Sequence, residues 1–532
     1  MSEVVQEPAA QRGALQKVLD AVERAGNKVP HPVIIFLALI ALIMVLSAVF
    51  QAAGSSVTFE QAQLGSDEVQ TVTVSAQSLL DADGIRFVFT SAVANFNGFG
   101  VVGVIVVAMI GVGLAEEVGL IGAFIKRLVK VTPPRFVTFS IVLLGVISSI
   151  ATDAGYLVLI PLAAAVFASL GRHPLAGLAA AFAGVGGGFG VNLLITPVDG
   201  MLTEITNEAI TDPAQHVSIT GNLFFGIVSS FLVAVVATLL TEKFVEPRLG
   251  TYRREEEAPA SDDPEVGPAP AAASGELSPQ ERNGLRWAFW GFVGVLLLVL
   301  ALSLPPGAPL RNPETGSLVE DSPLLNSIIF LILLFFFVMG LCYGKGAGTV
   351  KGSMDVINPM TKTIANLSGL IFLLLVISQF IAYFNYSNLG TIAAVGMADA
   401  LEAANLSTVW LILGLIAMTA VIDIFIGGVV PKWAIFAPVF VPLFIQLGVS
   451  PDLAMAAYRV GDSPINVATP LMPYFALIVI FAERYRRKVG VGSVISLMLP
   501  YTVALLVTWS ALLVVWYLLG IPLGPGASIY LE

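Results

Sequence analysis

The sequence predicts an all-α polytopic membrane protein with nine transmembrane helices and two opposed re-entrant hairpins, arranged as an inverted repeat of two halves. Three observations carry this. The chain has 532 residues, 56% of them hydrophobic and only 12% charged, and its mean hydropathy of +0.88 is far above that of a soluble domain. Of its 26 lysines and arginines, 22 fall in six clusters that one topology places on a single face of a bilayer. Finally, two long apolar regions are interrupted by prolines and glycines at matched spacing.

A bilayer core about 30 Å thick takes roughly 20 helical residues per pass, so spans can be read in chain order. Residues 1–30 read as a polar cytoplasmic tail that is kept, because the apolar run starts too late for a signal peptide. The first half, 31–246, holds spans near 32–52, 87–115 and 219–242 around an interrupted region at 135–200. Residues 247–283 predict a disordered cytoplasmic linker, with "RREEEAPASDDPEVGPAPAAASGELSPQER" (253–282) rich in proline, alanine and acid. The second half, 284–532, holds spans near 285–304, 324–343, 363–386 and 493–520 around a second interrupted region at 407–483.

Charge sets the orientation of these regions. With Arg135 and Arg172 both cytoplasmic, residues of about 135–171 must enter and leave from one face: a first hairpin with its tip near "ATDAG" (151–155), followed by a broken helix at about 174–200. The loops at 387–406 and 448–452 carry no basic residue, which makes about 407–447 a hairpin from the opposite face, tipped by "GGVVPK" (427–432) and followed by a broken helix at about 452–483. Written one under the other, the two regions match at Tyr156 and Trp433, Pro161 and Pro438, Pro174 and Pro451, and Gly184 and Gly461; Asn192 and Thr196-Pro197 then match Asn466 and Thr469-Pro470. Such inverted repeats are the plan of secondary transporters, in which broken helices bring freed backbone and half-helix ends to the bilayer midplane.

Composition excludes several functions. The single Cys342 allows no disulfide framework within the chain, and His31, His173 and His216 lack metal-ligand spacing. A net charge of -11 argues against nucleic acid as a partner. No GxSxG or metalloprotease pattern points to an enzyme, and "GVGGGFG" (184–190) has no strand before it and reads as helix packing and unwinding. Charges at membrane depth cost a few kcal/mol each, on the order of 3, and mark pathways or pairs. Lys432 and Arg459 are the two basic residues stranded there. They predict an anion site, with Trp433 as a stacking wall and Arg459 forking a carboxylate; the plainer alternative is that Arg459 pairs with Asp462 and Lys432 with Asp423. Asp153, Asn192 and Asp199 in the first copy, and Asp423, Asp462 and Asn466 in the second, supply oxygens for Na⁺ or a carried proton, with Na⁺ placed at Asp462, Asn466 and Asn192. Asp199 also fits a helix cap. Gly461 and Pro464 are expected to break the helix beside Asp462.

The sequence resembles the AbgT family of bacterial aminobenzoyl-glutamate transporters. The carriers are "GNKVPHP" (26–32), "TDAGYLVLIPLAA" (152–164), "LSPQERNGLRWA" (277–288), "SQFIAYFNYSNLG" (378–390), "KWAIFAPVFVPLF" (432–444) and "AYRVGDSPINVATPLMPYF" (457–475), in order across almost the whole chain. The resemblance implies a homodimer in the bacterial inner membrane. It further implies ion-coupled secondary transport, as antiporter or symporter, of p-aminobenzoyl-glutamate or related anionic aromatic compounds, with export of sulfonamide-type antimetabolites in some members. It carries functional roles onto Asp199, Trp433, Arg459 and Asp462, and hinge roles onto Pro438, Pro451 and Pro470, with Gly461 beside them. The chain departs from the family where Asp423 replaces a common asparagine and "GGVVP" replaces a serine-containing segment, which leaves the coupling ion as Na⁺ or H⁺. A Na⁺/carboxylate symporter of a related fold and an ion channel are the competing readings.

Overall fold

A computed structural model describes residues 30–62, 69–150, 155–252, 277–318, 322–403, 407–470, 472–486 and 489–531. The N-terminal tail, the centre of the expected linker and Asp153 at the expected tip of the first hairpin lie outside the described residues. Helices α1 (Pro32–Ala52), α2 (Ala82–Gly98), α3 (Val101–Glu117) and α4 (Leu120–Val131) open the fold, with a short antiparallel pair, β1 (Ser56–Ala62) and β2 (Val69–Ser75), between α1 and α2. Sequence chemistry sets their starts: Pro32 occupies the first turn of α1 behind His31, and the Asp81 carboxylate accepts from the Gly84 amide (2.8 Å) to cap α2.

The first interrupted region folds as α5 (Val137–Ile147), a π-helical turn (Gly155–Leu159) running into α6 (Ile160–Ser169), then α7 (Pro174–Val185), a non-helical break, and α8 (Pro197–Glu208). After α9 (Leu223–Leu240), α10 (Pro279–Ser303), α11 (Ile328–Ala347), α12 (Met354–Tyr386) and α13 (Leu389–Ala403), the second region repeats the pattern. It runs as α14 (Thr408–Asp423), α15 (Val429–Gln446), α16 (Pro451–Asp462), a 3-10 turn at Ser463–Ile465 and α17 (Phe475–Glu483), and α18 (Val491–Leu518) closes the chain. Both α7 and α16 are 12 residues long and start on a proline behind a side-chain cap, His173 and Ser450. The first broken helix extends beyond the expected 200 because Thr196 and Asp199 form a full capping box that starts a second helix.

Among the described residues eight helices are long and apolar enough to cross a membrane, and nine if the pair Leu120–Val131 and Pro134–Ile150, bent by 118°, counts as one. One of the eight is α15, an arm of the second hairpin in the sequence reading. The long helices fall into two groups. In one, α10 packs on α11, α11 on α3, and α12 on α3 and α1; in the other, α5 packs on α7 and α9, and α14 on α16, with α18 against α9 and α16.

Two glycines set the second group. An added Cβ on Gly184 in α7 would lie 3.0 Å from the Val142 Cα of α5, and one on Gly461 in α16 would lie 2.6 Å from the Ile416 carbonyl oxygen of α14. The two positions matched in sequence thus make the same close approach, each to the first arm of its hairpin. Gly461 therefore does not break the helix, as the sequence reading expected. α16 runs through it to Asp462, and the break begins at Ser463.

Candidate functional site

The two helix breaks meet each other. Gly190, in the break after α7, donates its amide hydrogen to Ser463 Oγ (2.9 Å) at the start of the break after α16, and its carbonyl accepts from Arg459 Nη1 (2.9 Å). The Gly190 backbone, released from α7, is thus satisfied by side chains of the second copy rather than by lipid. The same guanidinium nitrogen reaches Asp199 Oδ1 at 2.5 Å. Asp199 Oδ2 accepts from the Thr196 amide (2.7 Å) and hydroxyl (2.8 Å), so one carboxylate is both cap and ion-pair partner. This pair sits well in the helix fields: the carboxylate lies at the start of α8 and the guanidinium near the end of α16.

The second cluster is placed against those fields. Lys432 stands in the first turn of α15, while Asp423 ends α14 and Asp462 ends α16, so each charge lies at the wrong end of its helix. They compensate one another. The Lys432 ammonium, with no solvent exposure, pairs with Asp423 and, at 2.7 Å, with Asp462 Oδ1. Gly428, with φ +86°, makes the turn that folds α15 back beside α14 and brings Lys432 to Asp423. The plainer sequence reading is therefore half right: Lys432 does pair with Asp423, but Arg459 pairs with Asp199 and leaves Asp462 to Lys432. One ammonium faces two carboxylates, and Asp462 Oδ2 has no hydrogen-bond partner among the described residues.

Tyr458 and Thr206, which the sequence reading missed, complete the wall. The Tyr458 hydroxyl donates to the Val429 carbonyl (2.5 Å) and lies 3.0 Å from Asp462 Oδ1, and its ring packs on the Trp433 indole with centroids 4.9 Å apart. Trp433 donates its indole hydrogen to Thr206 Oγ1 (3.0 Å), which ties α15 to α8. Nothing in the spacing marks Tyr458 or Thr206 as a partner for Val429 and Trp433, which lie far from them in sequence.

A small cavity of about 20 Å³ lies between the first break, the start of α9 and Arg459 of α16, lined by Asn192, Asp199, Asn222 and Arg459 with Leu194, Ile195 and Phe225 among its apolar walls. Arg459 Nε has no acceptor among the described residues. That space has room for a water but not for an aromatic conjugate. Lys432, Trp433 and Asn466 do not line it, and Trp433 is fully buried. Asn192 is committed to the first hairpin: its amide donates to the Val146 and Ile147 carbonyls (both 3.1 Å) and to Ser149 Oγ (2.9 Å), and its oxygen accepts from the Leu194 amide (3.1 Å). Asn466 is half-buried beside the 3-10 turn. Of the expected hinges, Pro438 lies inside α15 with Pro442, Pro451 opens α16, and Pro470 lies within the second break, ahead of α17.

Taken as a whole, the chain is similar to known transporters over nearly its full length. Residues 17–531 match the family model described as the "AbgT putative transporter family". The p-aminobenzoyl-glutamate transport protein of Escherichia coli (strain K12) is 35% identical over 514 residues, 96% of each chain. Among solved structures, the Alcanivorax borkumensis YdaH transporter, described as having an unusual topology, superposes with a TM-score of 0.82 at 41% identity over 93% of this chain and 100% of that one. Neisseria gonorrhoeae MtrF, described as illuminating a class of antimetabolite efflux pumps, gives 0.86 at 40% identity over 96% and 100%. Match to the family model over nearly the whole chain, together with relatives at this identity, makes the chain a multi-pass membrane transporter of the AbgT family and not an enzyme.

Proposed function

We propose that this transporter moves p-aminobenzoyl-glutamate or related anionic aromatic compounds, sulfonamide-type antimetabolites included, by secondary transport coupled to a cation. The observation that carries the reading is Arg459: it lines the cavity beside the first break, its Nε hydrogen has no acceptor among the described residues, and a guanidinium in that position is a ready partner for a substrate carboxylate. Trp433 and Tyr458 supply aromatic surface one layer deeper, which a substrate reaches only when the second hairpin moves. The present conformation is closed around the site.

The proton is the better of the two coupling ions. Tyr458 has one hydroxyl hydrogen and two acceptors within reach, the Val429 carbonyl and Asp462 Oδ1, so a proton on Asp462 lets both contacts be hydrogen bonds. The same proton balances one ammonium against two carboxylates. Substrate arriving at Arg459 competes with Asp199 for the guanidinium, which loosens the link between α8 and α16 and frees the breaks to shift. The Lys and Arg distribution supports an inner-membrane protein with a cytoplasmic N-terminus, and the family resemblance supports a homodimer.

Flux of labelled p-aminobenzoyl-glutamate and of a sulfonamide in proteoliposomes, with Na⁺ and H⁺ gradients imposed separately, tests the reading. A proton gradient drives accumulation of at least one of the two, and Asp462→Ala and Arg459→Ala lower gradient-driven flux by at least tenfold. Undiminished flux in both folded variants excludes the site, whereas accumulation under a Na⁺ gradient alone changes the ion. Sustained current far above carrier turnover is the result expected of a channel instead.

A further inference from the structure

A buried carboxylate outside both clusters has no ionic partner. Asp452, in the first turn of α16, is 3% exposed, and its Oδ1 has no hydrogen-bond partner among the described residues. Its other oxygen receives a long hydrogen bond from Ser450 Oγ (3.3 Å), which in turn accepts from the Asp452 amide (3.2 Å). The group is pressed against the start of α9, where an added Cβ on Gly221 would lie 2.6 Å from the Asp452 Cγ. The next residue, Asn222, donates its side-chain hydrogen to the Asp452 carbonyl (3.1 Å). That bond fixes which end of the amide is nitrogen and leaves Asn222 Oδ1, also buried, as a second acceptor without a donor.

Two buried acceptors and no donor is a configuration that a proton on one of them resolves. Burying an unpaired carboxylate costs more than the field of a helix N-terminus returns, so burial prevails. Three of the charged groups on neighbouring elements are paired: Asp423 of α14 with Lys432 of α15, and Asp199 of α8 with Arg459. Glu204 and Glu208 lie further along α8, and Asp212 and His216 in the segment that leads into α9. Among the described residues, α9, α18 and the segment after it carry no charged side chain, and their titratable groups are the hydroxyls of Tyr501, Tyr517 and Tyr530. Arg459, seven residues along α16 and so on the same face about 10 Å away, is the one cation whose field reaches Asp452. Asp462 lies three residues beyond Arg459.

We infer that Asp452, with Asn222 as its acceptor, is a second proton-binding site, which passes a proton along α16 between the loop-side end of that helix and the Arg459 and Asp462 clusters. The site is sealed by the chain's last residues: the Ser450 amide donates to the Ile529 carbonyl (2.8 Å), and the Phe224 and Phe225 amides donate to the Leu523 carbonyl (2.9 and 3.1 Å). Its role in coupling rests on the transport reading above. Its protonation does not.

Infrared difference titration of the purified full-length protein in detergent, without substrate, reads the site directly. The wild type is expected to show a protonated-carboxyl C=O stretch near neutral pH that Asp452→Asn removes and Asp462→Asn retains. Asn222→Ala, which removes the acceptor, shifts the frequency of that band and assigns it even where Asp452→Asn fails to fold. Absence of such a band in the wild type at neutral pH, or a band that all three substitutions leave unchanged, overturns the inference. A surviving band with proton-independent flux would sink the coupling reading and leave the site standing.

Discussion

Lys432 is the residue on which the buried charges turn. Removing one member of a buried ion pair costs about 3–5 kcal/mol because the partner is left charged and unpaired. Lys432→Met leaves two such carboxylates, so its unfolding midpoint in detergent should drop sharply. The double variant Lys432→Met with Asp423→Asn should recover part of that loss, and strictly additive losses would show that the three groups do not act as one unit. Glu208, at the loop-facing end of α8 and outside the apolar spans, makes a separate prediction. Burial, and then the nearby Glu204, push its carboxyl from 4.5 up to about 7. The folded protein therefore binds more protons than the unfolded chain between those values, so the associated stability is complete below about 4.5 and is lost as pH rises through about 7. Because the group is partly open to solvent, Glu208→Gln should gain only about 1 kcal/mol at pH 8 and nothing at pH 4, measured as the shift in unfolding midpoint at each pH.

At the level of elements, the matched pair of glycines separates packing from hinge function. Gly184→Ala and Gly461→Ala each force a methyl into the backbone of the facing hairpin arm and should cost about 1–3 kcal/mol. Gly414, inside α14 with open space around it, is the control: Gly414→Ala should be neutral or gain about 0.5–1 kcal/mol. Equal effects at all three would mean that the close approaches do not hold the helices. The helices themselves were legible in the sequence, since proline-led 12-residue runs and apolar stretches follow from local chemistry. Their pairings were less so. Arg459 and Asp462 lie three apart on one helix and read as a pair, yet their side chains turn to different partners because Asp199 and Lys432 arrive from other elements. Asp452 follows the proline that opens α16, an ordinary place for an acid, and only its burial by α9 and the C-terminal segment makes it unusual. Asn192, a candidate ligand by residue type and place, also bonds to the first hairpin, a contact that no spacing in the sequence marks.

For the whole molecule, alternating access through these breaks requires two hairpins that enter from opposite faces, so that each break and its charges open to a different side. The equal lengths of α7 and α16, their proline starts and their matched glycine contacts favour that arrangement. The most direct measurement uses impermeant maleimide on intact and inverted membrane vesicles, with Cys342 replaced by serine and single cysteines placed at Ser169, after the first hairpin, and at Gln446, after the second. Ser169→Cys should react only from the cytoplasmic face and Gln446→Cys only from the opposite one. Reaction of both from the same face would contradict the mirrored arrangement and, with it, alternating access through these breaks.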